Sequence, residues 1–138
     1  MAPITPQDEI RVAIASDIDI VYARQKGREL ASKLGFSSSE LALIATAISE
    51  LARNIVRYAG HGVIIIKLIE RGGKHGVHIV STDNGPGIRN IPLAMQDGYS
   101  TSGGLGLGLP GVRRLMDDFE VVSKNGEGTT VNIKKWLR

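Results

Sequence analysis

The chain has 138 residues, 42% of them hydrophobic, and no cysteine, which suits a single domain over 1–138 with a real core and excludes disulfides, thiolate metal sites and thiol nucleophiles. The formal charge is +3 with acids and bases interspersed, and aromatics make up only 4%, so no nucleic-acid surface with base-stacking platforms is expected. The longest apolar stretch, 63–69, is far too short to cross a bilayer and no signal segment is seen at the start, so a cytoplasmic protein that does not insert into a membrane is expected.

Ile10, Val12 and Ile14 alternate with Arg11 and Ala13, the period of a half-buried strand. Ser16 or Asp17 caps the helix that follows, with Ile20, Ala23, Gly27, Leu30 and Leu34 on one face and Gly35 at its end. Ser37 and Glu40 form a reciprocal capping pair. The helix they open carries Leu41, Ile44, Ala45, Ile48, Leu51, Ala52 and Ile55 at helical spacing and closes at Gly60. Apolar runs at 63–69 and 77–82, separated by Arg71, Gly72, Gly73 and Lys74, predict a hairpin. Asp83, Asn84, Gly85, Pro86 and Gly87 stop its second strand.

Residues 88–109 form a connection of the length that is usually functional or mobile. Pro110 suits the first position of a helix that carries Val112, Leu115 and Met116. Strands at 119–123 and 129–136 flank Asn125-Gly126, a strong hairpin turn. The order β-α-α-β-β-loop-α-β-β predicts an α/β (α+β) two-layer sandwich, its sheet mixed and mainly antiparallel with helices on one face.

Chemistry-bearing residues fall in separate segments. Glu50 and Asn54 are i, i+4 neighbours on the second helix, away from its apolar stripe. A carboxylate beside an amide can hold a magnesium ion and activate a hydroxyl, although an ordinary polar face that includes Arg53 and Arg57 has the same pattern. Asp83 at a strand end can accept from an exocyclic amine, with Gly85 and Gly87 leaving room for a flat ring; a plain turn reads the same way. The run Gly103, Gly104, Leu105, Gly106, Leu107, Gly108 precedes Pro110, so freed backbone N–H groups and a helix start can converge on a phosphate. Its leucines argue against a flexible linker.

Gly106, Gly108 and Gly111 also match the dinucleotide-binding pattern. That pattern needs a preceding strand in a βαβ unit, and here a long loop precedes it. The Thr129 hydroxyl, after Gly128, can reach a base ring or its water, or belong to a hairpin turn only. His61, His75 and His78 fall in a turn and a hairpin and read as surface or strand residues.

Taken in order, these segments resemble the Bergerat (GHKL) nucleotide-binding fold. Glu50 and Asn54 match its N box, Asp83, Gly85 and Gly87 its first glycine box, Gly104, Gly106 and Gly108 its second, and Gly128 with Thr129 its third. Within that superfamily the chain is similar to anti-sigma-factor serine kinases, above all the RsbT-type switch kinases. The runs AISELARN ending at Asn54, GYSTSGGL ending at Leu105 and LPGVRRLM ending at Met116, and the ending Lys135, Trp136, Leu137, Arg138, carry that likeness.

The resemblance implies an ATP- and Mg2+-dependent serine/threonine protein kinase. Its partners would be STAS-domain substrates in a stressosome-like scaffold and a downstream metal-dependent phosphatase that the released kinase activates. It implies Glu50 as general base and Asn54 as the magnesium ligand. Asp83 would take the adenine amine with Thr129 supporting it through water, Gly85 and Gly87 would line the pocket, and the glycine string would hold phosphates. Rival readings are an anti-sigma factor that sequesters a sigma subunit and a nucleotide-gated binding module without useful catalysis.

Overall fold

The structure is a computed structural model that describes residues 8–87, 108–124 and 126–138. Its elements are β1 (Glu9–Ile14), α1 (Asp17–Ser32), α2 (Ser38–Asn54), a π-helical turn (Ile55–Ala59), β2 (Gly62–Arg71), β3 (Lys74–Asp83), α3 (Leu109–Leu115), β4 (Asp118–Lys124) and β5 (Gly128–Trp136). The strands form one sheet in the order β1-β2-β3-β5-β4. Neighbours in it are antiparallel throughout, so among the described residues the sheet has none of the parallel pairing that a mixed one would include.

Alternation in the strands decides which side is covered. Val12 and Ile14, Ile64, Ile66 and Leu68, Val77 and Ile79, and Val131 and Ile133 all lie on one face and are buried. The apolar stripes of α1 and α2 close over them; Ala23, Leu30, Ile44, Ile48 and Leu51 are buried in the same cluster. Burial of whole Ile, Leu and Val side chains contributes about 1.5–3 kcal/mol each, so this layer holds the sandwich together. Both long helices start as the sequence predicts. Ser16 N–H donates to Asp19 Oδ2 at 3.1 Å, and Ser37 Oγ accepts from Glu40 N–H at 3.2 Å.

Two local outcomes differ from expectation. The second helix does not run regularly to Gly60: it is α-helical to Asn54 and then widens into the π-helical turn, closed by Gly60 N–H on Ile55 O at 2.8 Å. The third helix starts at Leu109, so Pro110 takes its second position.

The chain end clasps that third helix. Lys135 Nζ donates to Leu115 O at 3.2 Å. Just beyond the helix, Asp117 accepts from Trp136 N–H at 2.7 Å and pairs with Arg138, while Trp136 Nε1 donates to Asp118 Oδ2 at 2.8 Å.

On the uncovered face, His78 lies between Lys67 and Lys134 in one cross-strand row, and its Nε2 meets Asn132 Oδ1 at 2.9 Å. Burial pushes its pKa below the ordinary 6.5; the two lysines push the same way, and the bond to Asn132 opposes them. The unfolded chain therefore binds the proton more readily than the folded one. This contribution to stability is present above about pH 6.5 and lost as pH falls through the folded-state value. The melting temperature is expected to drop between pH 7.5 and 5.5, and His78→Gln is expected to flatten that slope. A slope that is the same in both proteins would assign it to other groups.

Candidate functional site

The row that crosses the end of the covered face runs Ile14, Gly62, Asp83, Thr129, Ser123. Strand parity thus sets Asp83 and Thr129 side by side on the helix side of the sheet, at the end where β3 stops. Asp83 Oδ1 accepts from Gly85 N–H at 2.9 Å. This short side-chain turn fixes the carboxylate at the strand's end and leaves Oδ2 as the oxygen that can accept from a ligand amine. Thr129 Oγ1 meets Ser123 Oγ at 2.8 Å. A hollow of about 230 Å³ lies at this end of the sheet; Asp83, Ser123 and Thr129 border it, together with Thr82, Val122 and Thr130 of the uncovered face. Ser123 is an addition: a lone serine in a strand carries no signal in the sequence, and only the strand register sets it beside Thr129.

The π-helical turn joins this corner to α2. A Cβ on Gly85 would stand 2.7 Å from Ala59 Cβ, so the segment after Asp83 lies directly on the widened turn. Helices often widen this way at functional sites. On the far side, Pro86 O accepts from Gly126 N–H at 2.5 Å, and a Cβ on Gly87 would run into Lys124 O. The first glycine box is therefore wedged between the end of α2 and the β4–β5 turn.

Gly128 is fixed by conformation and by space. Its φ is +92°, and a Cβ there would collide with Asp83 O and lie 2.9 Å from Asn84 Cα. Gly128→Ala is expected to destabilise the fold by about 2–4 kcal/mol, the sum of a left-handed backbone and a forced shift. Urea unfolding reads this directly; a change below about 0.5 kcal/mol would mean that the strand end moves aside.

The second part of the site stands on α2. Glu50 and Asn54 are half-buried, one turn apart, on its last two turns. Arg53 Nη1 donates to Glu50 Oε1 at 2.6 Å, with the side chains of Arg53 and Glu50 37% and 35% exposed. The other oxygen, Oε2, faces the start of α3, where a Cβ on Gly108 would stand 2.7 Å away. Gly108 has φ +67° and opens the helix through Val112 N–H on its carbonyl at 3.1 Å. Of the predicted phosphate-binding run, Gly108 alone lies within the described residues; Gly103, Gly104, Leu105, Gly106 and Leu107 lie outside them. Glu50 and Asn54 do not line the hollow at Asp83; the two parts meet through the π-helical turn and Gly85.

The chain thus combines a five-stranded antiparallel sheet under two long helices with an acid–amide pair on one helix and Asp83, Gly85 and Gly87 at the strand end beside it. Residues 40–138 match the model of the histidine kinase-, DNA gyrase B- and HSP90-like ATPases, and the chain belongs to that family.

The chain is 55% identical over 131 residues to the serine/threonine-protein kinase RsbT of Bacillus subtilis (strain 168), covering 95% of this chain and 98% of that one. It belongs with the RsbT serine/threonine kinases within the family. It is also 32% identical over 123 residues to the anti-sigma F factor of Anoxybacillus flavithermus, covering 84% of this chain and 83% of that one. Among solved structures it is similar to the RsbU and RsbW domains of Rv1364c from Mycobacterium tuberculosis, with a TM-score of 0.64 at 20% identity. That match covers 97% of this chain and 34% of the other, and it speaks for the fold alone. No helix among the described residues is long and apolar enough to cross a membrane.

Proposed function

We propose that the chain transfers the γ-phosphate of ATP to a serine or threonine of STAS-domain regulators in a stressosome-like partner switch. Released from them, it activates a downstream metal-dependent phosphatase in the cytoplasm. The observation that carries the proposal is the disposition of Glu50: it stands one helical turn from Asn54, and its Oε2 faces Gly108, the end of the glycine string. The likeness to an RsbT kinase over nearly the whole chain supports the same reading.

The residues fit a magnesium nucleotide. Asp83 offers Oδ2 to the adenine amine, and Thr129 stands beside it to support the ring through water. Gly85 and Gly87 let the chain after Asp83 pack closely on Ala59 and Lys124 and so hold the corner in place. Backbone N–H groups of the glycine string would hold the β- and γ-phosphates.

Asn54 supplies an amide oxygen of the hard kind that Mg2+ takes. Among the described residues no three His, Cys, Asp or Glu side chains cluster to bind a metal, which suits an ion whose other ligands are phosphates and water. When bound, the ion would spread the charge on the phosphates. Glu50 orients the incoming hydroxyl and takes its proton, so the rate comes from positioning and charge stabilisation.

The 32% identity to an anti-sigma F factor favours one second reading, a kinase that also sequesters a sigma subunit. The deciding experiment is transfer of labelled γ-phosphate to a purified STAS-domain protein from the same genome, with Glu50→Ala as control. Glu50-dependent label on serine or threonine supports the kinase reading. ATP binding without transfer, together with retention of a sigma subunit on the immobilised chain, would overturn it in favour of the second.

A further inference from the structure

The carboxylate of Glu50 is bracketed. Arg53, three residues further along α2, donates from Nη1 to Oε1 at 2.6 Å, and Gly108 stands against Oε2. From this arrangement we propose that Arg53 is a positioning residue for phosphoryl transfer: it occupies Oε1 and so presents Oε2 as the oxygen that receives the proton of the incoming hydroxyl. The inference rests on the reading of Glu50 as the base.

The terminal torsion of a glutamate is broad and roughly two-fold, so an unheld carboxylate samples many orientations. A base works only when its accepting oxygen is aligned with the proton it takes. A charge-assisted bond from a guanidinium restricts that torsion, and here it does so from the side opposite the start of α3. Oε2 is left facing Gly108, where the glycine string ends and where a phosphate and the hydroxyl attacking it would meet.

Exposure separates this role from a stabilising one. The side chains of Arg53 and Glu50 are 37% and 35% exposed, and pairs this open contribute little to stability because water and salt screen them. Loss of the pair is therefore expected to leave the fold intact and to be felt in the rate.

The substrate hydroxyl oxygen bonds to the γ-phosphorus, the bond from that phosphorus to the bridging oxygen of ADP breaks, and the electron pair leaves with ADP. The hydroxyl proton goes to Glu50 Oε2. Arg53 keeps its bond to Oε1 throughout and gives up nothing.

The test measures kcat and the KM for ATP with a purified STAS-domain substrate for the unaltered chain, Arg53→Ala, Arg53→Lys, Glu50→Ala and the double variant Glu50→Ala/Arg53→Ala. Arg53→Ala is expected to lower kcat by about tenfold to a hundredfold, the size that small misplacements produce, with KM for ATP unchanged. Arg53→Lys keeps the charge but not the fork, so its kcat is expected to fall between those of the unaltered chain and Arg53→Ala. It also keeps the test decisive if the alanine variant folds poorly.

In the Glu50→Ala background the loss of Arg53 is expected to change nothing further. An unchanged kcat in Arg53→Ala would overturn the proposal. So would a KM effect alone, or an equal loss in both backgrounds, since Arg53 would then act on the nucleotide or independently of Glu50. If the unaltered chain transfers no phosphate, the reading of Glu50 falls and Arg53 with it; transfer that survives Arg53→Ala removes only the role of Arg53.

Discussion

Replacement of Glu50 by alanine is expected to lower phosphoryl transfer at least ~100-fold, the contribution general-base catalysis usually makes, while nucleotide affinity is retained. The two quantities are expected to separate because Glu50 stands on α2, while the adenine is proposed to sit at Asp83 and Thr129 on the strand ends. Its Oε2 faces the start of α3, where the phosphate end of the nucleotide is proposed to lie. Single-turnover transfer and equilibrium titration with a fluorescent ATP analogue on the same preparation measure both. A variant that transfers at the original rate would show that Glu50 is not the base. A variant that loses affinity and rate together would make Glu50 a ligand of the nucleotide instead.

The second large effect is expected at Asp83. Asp83→Asn is expected to abolish measurable ATP binding with little change in the melting temperature. The amide oxygen of the variant can still accept from Gly85 N–H, the bond that Oδ1 accepts at 2.9 Å, so the strand end keeps its turn. The amide nitrogen then takes the place of Oδ2 and meets the adenine amine donor to donor. Loss of a bond to a charged group together with an unsatisfied donor amounts to about 3–5 kcal/mol, roughly two to three powers of ten or more in affinity. Affinity that is undiminished in the variant would remove Asp83 from the adenine site.

Much of this arrangement is legible in the sequence because it is local. The capping pair Ser37–Glu40 sets the start of α2, and helical spacing from there puts Glu50 and Asn54 on one side of it. Asp83, Gly85 and Gly87 are nearly contiguous, so their turn needs only the strand before it. The hairpin at Gly72 and Gly73 fixes the register of β2 against β3, which leaves Asp83 in the last row.

What the sequence hides arises between distant segments. The π-helical turn carries no signal in the apolar spacing of the helix; it lies where Ala59 packs against Gly85. Arg53 reads as part of an ordinary polar face, and its spacing from Glu50 is ordinary too. Only the presence of Gly108 on the other side of the carboxylate gives that pair a direction. Ser123 joins Thr129 through the exact register of β4 on β5, which the hairpin signal between them does not specify.

The clasp at the chain end bears on all of this. α3 is only seven residues long, too short to hold its place by its own hydrogen bonds. Its first turn abuts Glu50, and its last carbonyl is gripped by Lys135, with Asp117 just beyond it tied to Trp136 and Arg138. The helix is thus a short strut between the carboxylate and the C-terminus. Whatever loosens Lys135, Trp136 or Arg138 therefore works on the far end of that strut and reaches Glu50 through it.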